Sequence, residues 1–320
     1  MKSRIFYYAY DTTEHSGGEI DTYHHVDVLN ECGYEAYALH TKPGYRHRWF
    51  ENKTRVIDLS SFWNIYDRER DFVVLPEPLG SQMRMFPGKK VIFNKALYLG
   101  FGCFGNDPDS YKVYGGNNVV AVLAVSEHNL QHLRFAFPDA KIFRTFTQID
   151  CGLFLYRPLT EKKKRIACVM KALPPLWVLY HMLCSRAQQG LNKISEYEWI
   201  FLKGYTLEQT AALLQETLIL ISLNTWEGLG RINLEAMACG CLVFGYGTGA
   251  LKEYLPPESI FEPDNLVEVA KRIESITNSF PAVDESLCTW SRLGRRTAEN
   301  FSKEQEKKHL IAAWKEILCP

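Results

Sequence analysis

Short apolar runs and helical stripes alternate along the chain, and the alternation predicts the fold class. Residues 4–10, 34–40, 72–75, 90–93 and 119–125 read as buried strands in the first half, and residues 166–170, 199–202, 218–223 and 241–246 in the second. Helix-forming stretches with recognisable ends lie between them. Residues 19–32 run to Gly33, Ser126 caps a helix that reaches about residue 136, and Pro174 with Pro175 opens one that reaches about residue 186. Thr206 and Gln209 form a capping box before the 218–223 strand, and residues 231–239 make a helix that Gly240 ends. Strands that alternate with helices in this way predict an α/β fold.

The series restarts once. Lys162, Lys163, Lys164 and Arg165 read as a solvated linker, after which a fresh apolar strand begins. The expected division is residues 1–152, residues 153–300 and a terminal helix at 301–320. Ser302 and Gln305 would cap that helix, with Leu310, Trp314, Ile317 and Leu318 on one stripe. The segment 100–118, rich in Gly, Asn and Asp, reads as a long loop. At 320 residues and 46% hydrophobic content, the chain can bury two ordinary cores.

The loop after the 218–223 strand carries the chemistry. Gly228 and Gly230 break the chain before the helix from Arg231, so the loop sits at the carboxyl end of a strand, where open α/β sheets place ligands. Amides near residues 229–232 open that helix and suit a diphosphate, which glycines allow to approach closely. Glu227 precedes the helix and Glu235 lies on it, roughly 8–12 Å away at 1.5 Å per residue. A retaining glycoside hydrolase holds its carboxyls about 5 Å apart, so this pair better suits two acceptors gripping distant hydroxyls of one long ligand. Glu235 borders the apolar stripe of Ile232, Ala236 and Cys239, where an unpaired carboxylate is costly.

The stretch Glu227-Gly-Leu-Gly-Arg-Ile-Asn-Leu-Glu235-Ala-Met-Ala-Cys-Gly240 resembles the glutamate-x7-glutamate signature of retaining GT-B glycosyltransferases, family 4 in particular. Gly245-Tyr-Gly247-Thr248-Gly249 then resembles that family's second glycine-rich donor loop. The resemblance implies two Rossmann-like lobes around a cleft, an acceptor side first and a nucleotide-sugar side second, with a last helix that crosses back to the first lobe. It also implies transfer of a sugar, with retention, from a nucleotide-diphosphate sugar to an acceptor hydroxyl on a sugar chain, lipid-linked carrier or protein. Such an enzyme would serve glycan or glycoconjugate biosynthesis. Glu227 would contact the donor sugar and Glu235 the ribose, with Gly228, Leu229, Gly230, Gly247 and Thr248 around the donor. The family's phosphate-binding lysine has its counterpart in Lys171, after the 166–170 strand. Its arginine has none, because Pro174-Pro-Leu-Trp stands there, leaving Lys203 or Arg231 as substitutes. Gly17 and Gly18, in a loop before the first helix, resemble the first-lobe donor loop. No cofactor and no metal are implied, since basic groups and a helix dipole would neutralise the leaving group. The readings set against this one are a degenerate sugar-nucleotide-binding subunit, favoured by the missing arginine, and a sugar-nucleotide epimerase of the same architecture.

Composition removes other classes. A formal net charge of zero offers no basic field for nucleic acid. Nine cysteines without a Cys-x-x-Cys pair suggest reduced thiols in the cytoplasm, and no run of 18 apolar residues predicts a membrane span. Peripheral membrane contact remains compatible with the sequence. Gly100-Phe-Gly102-Cys-Phe-Gly105 satisfies a dinucleotide fingerprint, yet it leads into the turn-forming residues 106–109 and not into a helix. His15, His24 and His25 cluster near the first loop, where one could reach the donor. His128 and His132 have metal-ligand spacing but no third partner nearby, so helix surface is the better reading.

Overall fold

The computed structural model describes residues 2–105, 110–116 and 118–319. The chain forms two units, one of Met1–Gln148 with Lys303–Pro320 and one of Ile149–Ser302.

The first unit begins with β1 (Arg4–Tyr8), α1 (Gly17–Glu31), β2 (Glu35–His40), β3 (Val56–Asp58) and α2 (Leu59–Ile65). It continues with β4 (Phe72–Pro76), β5 (Lys89–Asn94), α3 (Leu97–Gly102), β6 (Val119–Ala124), α4 (Glu127–Ala136) and β7 (Ile142–Arg144). The strands pair in parallel in the order β3-β2-β1-β4-β5-β6-β7. The order reverses direction between β1 and β4, a doubly wound switch point. Phe6, Val73, Leu75, Ile92 and Val122 pack at the heart of one face.

The second unit runs β8 (Lys163–Val169), α5 (Leu173–Gln188), β9 (Glu198–Leu202), α6 (Leu207–Glu216), β10 (Thr217–Ser222), α7 (Arg231–Ala238), β11 (Leu242–Tyr246), β12 (Ile260–Phe261), α8 (Leu266–Ser279) and α9 (Glu285–Glu299). Its parallel order is β12-β11-β10-β8-β9, so the switch point lies between β8 and β10. Every residue of β10 and β11 is buried, as continuous apolar runs in a sheet covered on both faces require. Ser126 and Thr206 cap α4 and α6, the latter with a complete capping box.

The last helix, α10 (Lys303–Leu318), belongs to the first unit, where it packs on α1 and β7. Its stripe buries Leu310, Ala313, Trp314 and Ile317. The Trp314 Nε1–H donates to the Tyr7 hydroxyl at 3.1 Å, and its ring meets Phe72 edge-on at 5.7 Å. No helix among the described residues is long and apolar enough to cross a membrane.

Three expectations are corrected. Lys162 is buried, donating to the carbonyls of Leu214, Gln215 and Cys239 at 3.1, 2.9 and 2.7 Å, and Lys163–Arg165 already belong to β8. The basic run is not a solvated linker, because carbonyls in the last turns of α6 and α7 take the donors of Lys162 and the rest of the run is strand. The segment 100–118 holds the end of α3 and a 3-10 turn at Ser110–Val113; the expected turn at 106–109 lies outside the described residues. Helix α1 starts at Gly17, so Gly17 and Gly18 form its first turn and not a loop before it.

Burying a tryptophan against Tyr7 and Phe72 ties α10 to the sheet. Trp314→Ala is expected to cost about 3–5 kcal/mol in urea unfolding, as large aromatic truncations in cores do. A loss below about 1 kcal/mol would contradict this packing account.

Candidate active site

The switch point of the second unit brings together two of the sequence-predicted residues. Lys171 follows β8 and Glu227 follows β10, the strand beside it. The Lys171 ammonium donates to both Glu227 carboxylate oxygens, at 2.9 and 3.1 Å. Asn224 Nδ2 adds a third donor to the same carboxylate at 3.0 Å, so Glu227, only 8% exposed, is fixed by charge and by loop geometry. The lysine side chain is 60% exposed and can serve a second anion without moving its backbone.

After Glu227 the chain turns through Gly228, Leu229 and Gly230 into α7. Gly230 is the N-cap and has φ of +77°, the left-handed region that glycine adopts without strain. A Cβ there would come within 2.9 Å of Leu251 and 3.0 Å of the Tyr254 hydroxyl. That hydroxyl donates to the Leu229 carbonyl at 2.7 Å, and burial pushes the phenol well above its ordinary pKa. The turn is therefore clamped from beneath, with no side-chain cap on the first amides of α7. The Asn233 amide bonds the Gly230 carbonyl at 2.9 Å, and the positive end of the helix dipole there favours an anion.

Glu235 is buried on α7 and accepts from Arg231 Nε at 2.7 Å, one helical turn earlier. Burial raises the Glu235 carboxyl and Arg231 opposes that rise. Arg231, proposed from sequence for a phosphate, is thus engaged with Glu235 and itself only 8% exposed. Lys203 is exposed just past β9, at the same carboxyl end of the sheet. Thr248 precedes a 3-10 turn, and its buried hydroxyl has no hydrogen-bond partner among the described residues. Gly247 has a packing reason, since a Cβ there would meet Ile260 at 2.5 Å.

At the carboxyl end of the first sheet, Gly18 likewise has a packing role, since a side chain would press on the Lys95 stem at 3.1 Å. Lys95 bonds the Gly18 carbonyl and pairs with buried Glu19 at 3.3 Å, while His47 lies 3.6 Å from the other Glu19 oxygen. Burial alone would raise Glu19, but Lys95 and His47 together hold it below the usual range. His15 stacks on Trp49, and His25 is a core residue stacked on Phe93, pushed down to about 3 by burial. His24 is half-buried. His132 Nδ1 contacts the His128 carbonyl oxygen at 2.8 Å, and no three His, Cys, Asp or Glu side chains among the described residues could hold a metal ion. Sequence reasoning missed Asn224, Glu19, Lys95, His40 and Glu77. His40 links the Tyr23 hydroxyl and Asp11 at 2.7 and 2.8 Å. Glu77, just past β4, accepts from the Ala96 amide at 2.7 Å and has its other oxygen buried without a partner among the described residues. A separate groove of about 800 Å³ beside α5 and α8, lined by Trp177, His181 and Val267 among others, contains none of the residues predicted for the site.

Residues 192–283 match the family model described as glycosyl transferases group 1, a stretch that holds Lys203, both glutamates and Thr248. A comparison with curated proteins finds no match. Among solved structures, the chain is similar to a glycosyltransferase from Rickettsia africae, with a TM-score of 0.70, 16% identity and 99% of each chain covered. It is similar to sucrose-phosphate synthase from Thermosynechococcus elongatus, with a TM-score of 0.71, 13% identity, and 99% of this chain and 100% of that one covered. A third likeness is to the pneumococcal O-GlcNAc transferase in complex with UDP and GlcNAc, with a TM-score of 0.69, 7% identity and 99% of each chain covered. These likenesses are of fold: two Rossmann-like domains as in GT-B glycosyltransferases. The family match over the segment that bears the glutamates supports a glycosyltransferase enzyme.

Glu77 gives the first unit a calculable pH dependence. Burial raises its carboxyl from 4.5 to about 7. Between those values the folded chain keeps a proton that the unfolded chain releases, so stability falls as pH rises through that window, by about 3 kcal/mol at 1.36 kcal/mol per pKa unit. Unfolding free energies at pH 5 and pH 8 are expected to show a smaller fall in Glu77→Gln than in the unsubstituted protein. Equal falls would contradict the assignment.

Proposed function

We propose that the chain is a retaining glycosyltransferase that moves a sugar from a nucleoside-diphosphate sugar to an acceptor hydroxyl in glycan or glycoconjugate biosynthesis. The observation that carries the reading is the Glu227 carboxylate, held by Lys171 and Asn224 at the β8/β10 switch point, directly before a helix start that carries no side-chain cap. In this reading the second unit binds the donor and the first the acceptor. The diphosphate lies at the start of α7, Glu227 orients sugar hydroxyls, and Glu235, set by Arg231, takes the ribose.

The reaction breaks the bond between the anomeric carbon and the diphosphate oxygen, and that electron pair leaves on the phosphate. The acceptor oxygen bonds to the anomeric carbon on the same face, and its proton passes to the departing phosphate oxygen. Negative charge grows on the leaving group, so fixed positive charge near it lowers the barrier. Lys171 stands between the Glu227 carboxylate and solvent and would share its charge with the phosphate; exposed Lys203 supplies the second cation, since Arg231 is engaged with Glu235. With amides and lysines in that role, transfer needs no metal and no cofactor.

A second reading, a binding subunit without transfer, is favoured by one observation: the arginine nearest the turn is spent on Glu235. Slow hydrolysis of the donor in the absence of acceptor separates the two.

Glu227→Gln is isosteric and is expected to leave the fold intact while lowering turnover about a hundredfold, the usual loss when a preorganised polar contact at the reacting centre is removed. Full activity in the purified variant would remove the central assignment. Activity is expected to survive EDTA; complete loss that Mn²⁺ or Mg²⁺ restores would refute metal independence.

A further inference from the structure

From Thr217 to Gly247 the strand, loop, helix and strand that build the donor site are buried or half-buried at every position except one. The exception is Trp226, 66% exposed and bonded directly to Glu227. Singly exposed apolar residues are ordinary on protein surfaces, but the backbone of this one is held in place. Its backbone N–H donates to the Asn224 side-chain oxygen at 3.3 Å, while the amide nitrogen of the same side chain holds the Glu227 carboxylate at 3.0 Å. One asparagine therefore fixes both the backbone that carries the indole and the carboxylate of the next residue.

A pyranose presents two kinds of surface, a rim of hydroxyls and faces of C–H groups. A carboxylate recognises the rim, and a flat, rigid, amphipathic indole covers a face at little entropy cost. Resting on the reading of Glu227 as the group that orients the donor sugar, we infer that Trp226 is the stacking platform for the transferred sugar ring and so a determinant of donor-sugar specificity. The nucleobase would be the other aromatic-seeking part of the donor. It is the less suited occupant in this reading, because the ribose that carries the base is assigned to Glu235, nine positions further along the chain, whereas Trp226 directly precedes Glu227, the residue assigned to the sugar.

The test titrates the full chain, as the unsubstituted protein, Trp226→Ala and Trp226→Phe, calorimetrically with UDP, GDP and ADP and with UDP-glucose, UDP-N-acetylglucosamine, GDP-mannose and ADP-glucose. The unsubstituted protein is expected to bind at least one sugar conjugate. Trp226→Ala should weaken that conjugate about tenfold while moving the matching free diphosphate less than about twofold, and Trp226→Phe should restore most of the loss. Equal losses for conjugate and free diphosphate would place the indole on the base, and no loss on either would leave it without a role; both overturn the inference and leave the donor site standing. An unsubstituted protein that binds none of the seven probes would instead bring down the donor-site reading, and the inference with it.

Discussion

The turn at Gly230 is the constraint on which the proposed donor site depends. The chain must leave a fully buried strand, β10, at Ser222 and enter a buried helix, α7, at Arg231. Only a left-handed residue without a Cβ fits over Leu251 and Tyr254 while doing so. Because Tyr254 also binds the Leu229 carbonyl, the turn is held rigid by a hydroxyl far along the chain. Glu227 on one side of the turn and Arg231 with Glu235 on the other inherit their positions from it. Preorganisation of this kind matters for transfer, since charge-stabilising groups that must first move contribute less.

The second theme is buried charge that is paired before any ligand arrives. Glu235 with Arg231, Glu19 with Lys95, and Lys162 among three carbonyls each carry a desolvation cost that partners offset. Such pairs are weak sources of stability, and losing one partner leaves a stranded charge. They are strong sources of position. In the proposed donor site the consequence is a division among cations: Arg231 is paired with a buried carboxylate, whereas Lys171 and Lys203 are exposed.

The parts legible in the sequence were those whose signal is local. Apolar runs marked β4, β5, β6, β10 and β11, a capping box marked α6, and two glycines between two glutamates marked the turn into α7. The Arg231–Glu235 pair also follows helical i, i+4 spacing, but a sequence does not show whether an arginine faces a carboxylate on its own helix or a ligand. Lys162 was misread since the carbonyls it serves are 52 to 77 positions away. The short strands β3 and β7 show too few residues for a period to emerge, and the start of α1 was hidden by glycines, the weakest of ordinary helix formers. Trp226 was plain to see beside Glu227, but its exposure in an otherwise buried segment is a property of the fold.

The central claim is that the second unit's turn and helix start hold a nucleoside diphosphate. Amide hydrogen exchange, with and without saturating diphosphate, tests it most directly, because it reads the backbone donors themselves. Protection concentrated at residues 227–235 and 247–249 is the predicted result. Binding that leaves those amides unchanged while protecting another segment would contradict the account.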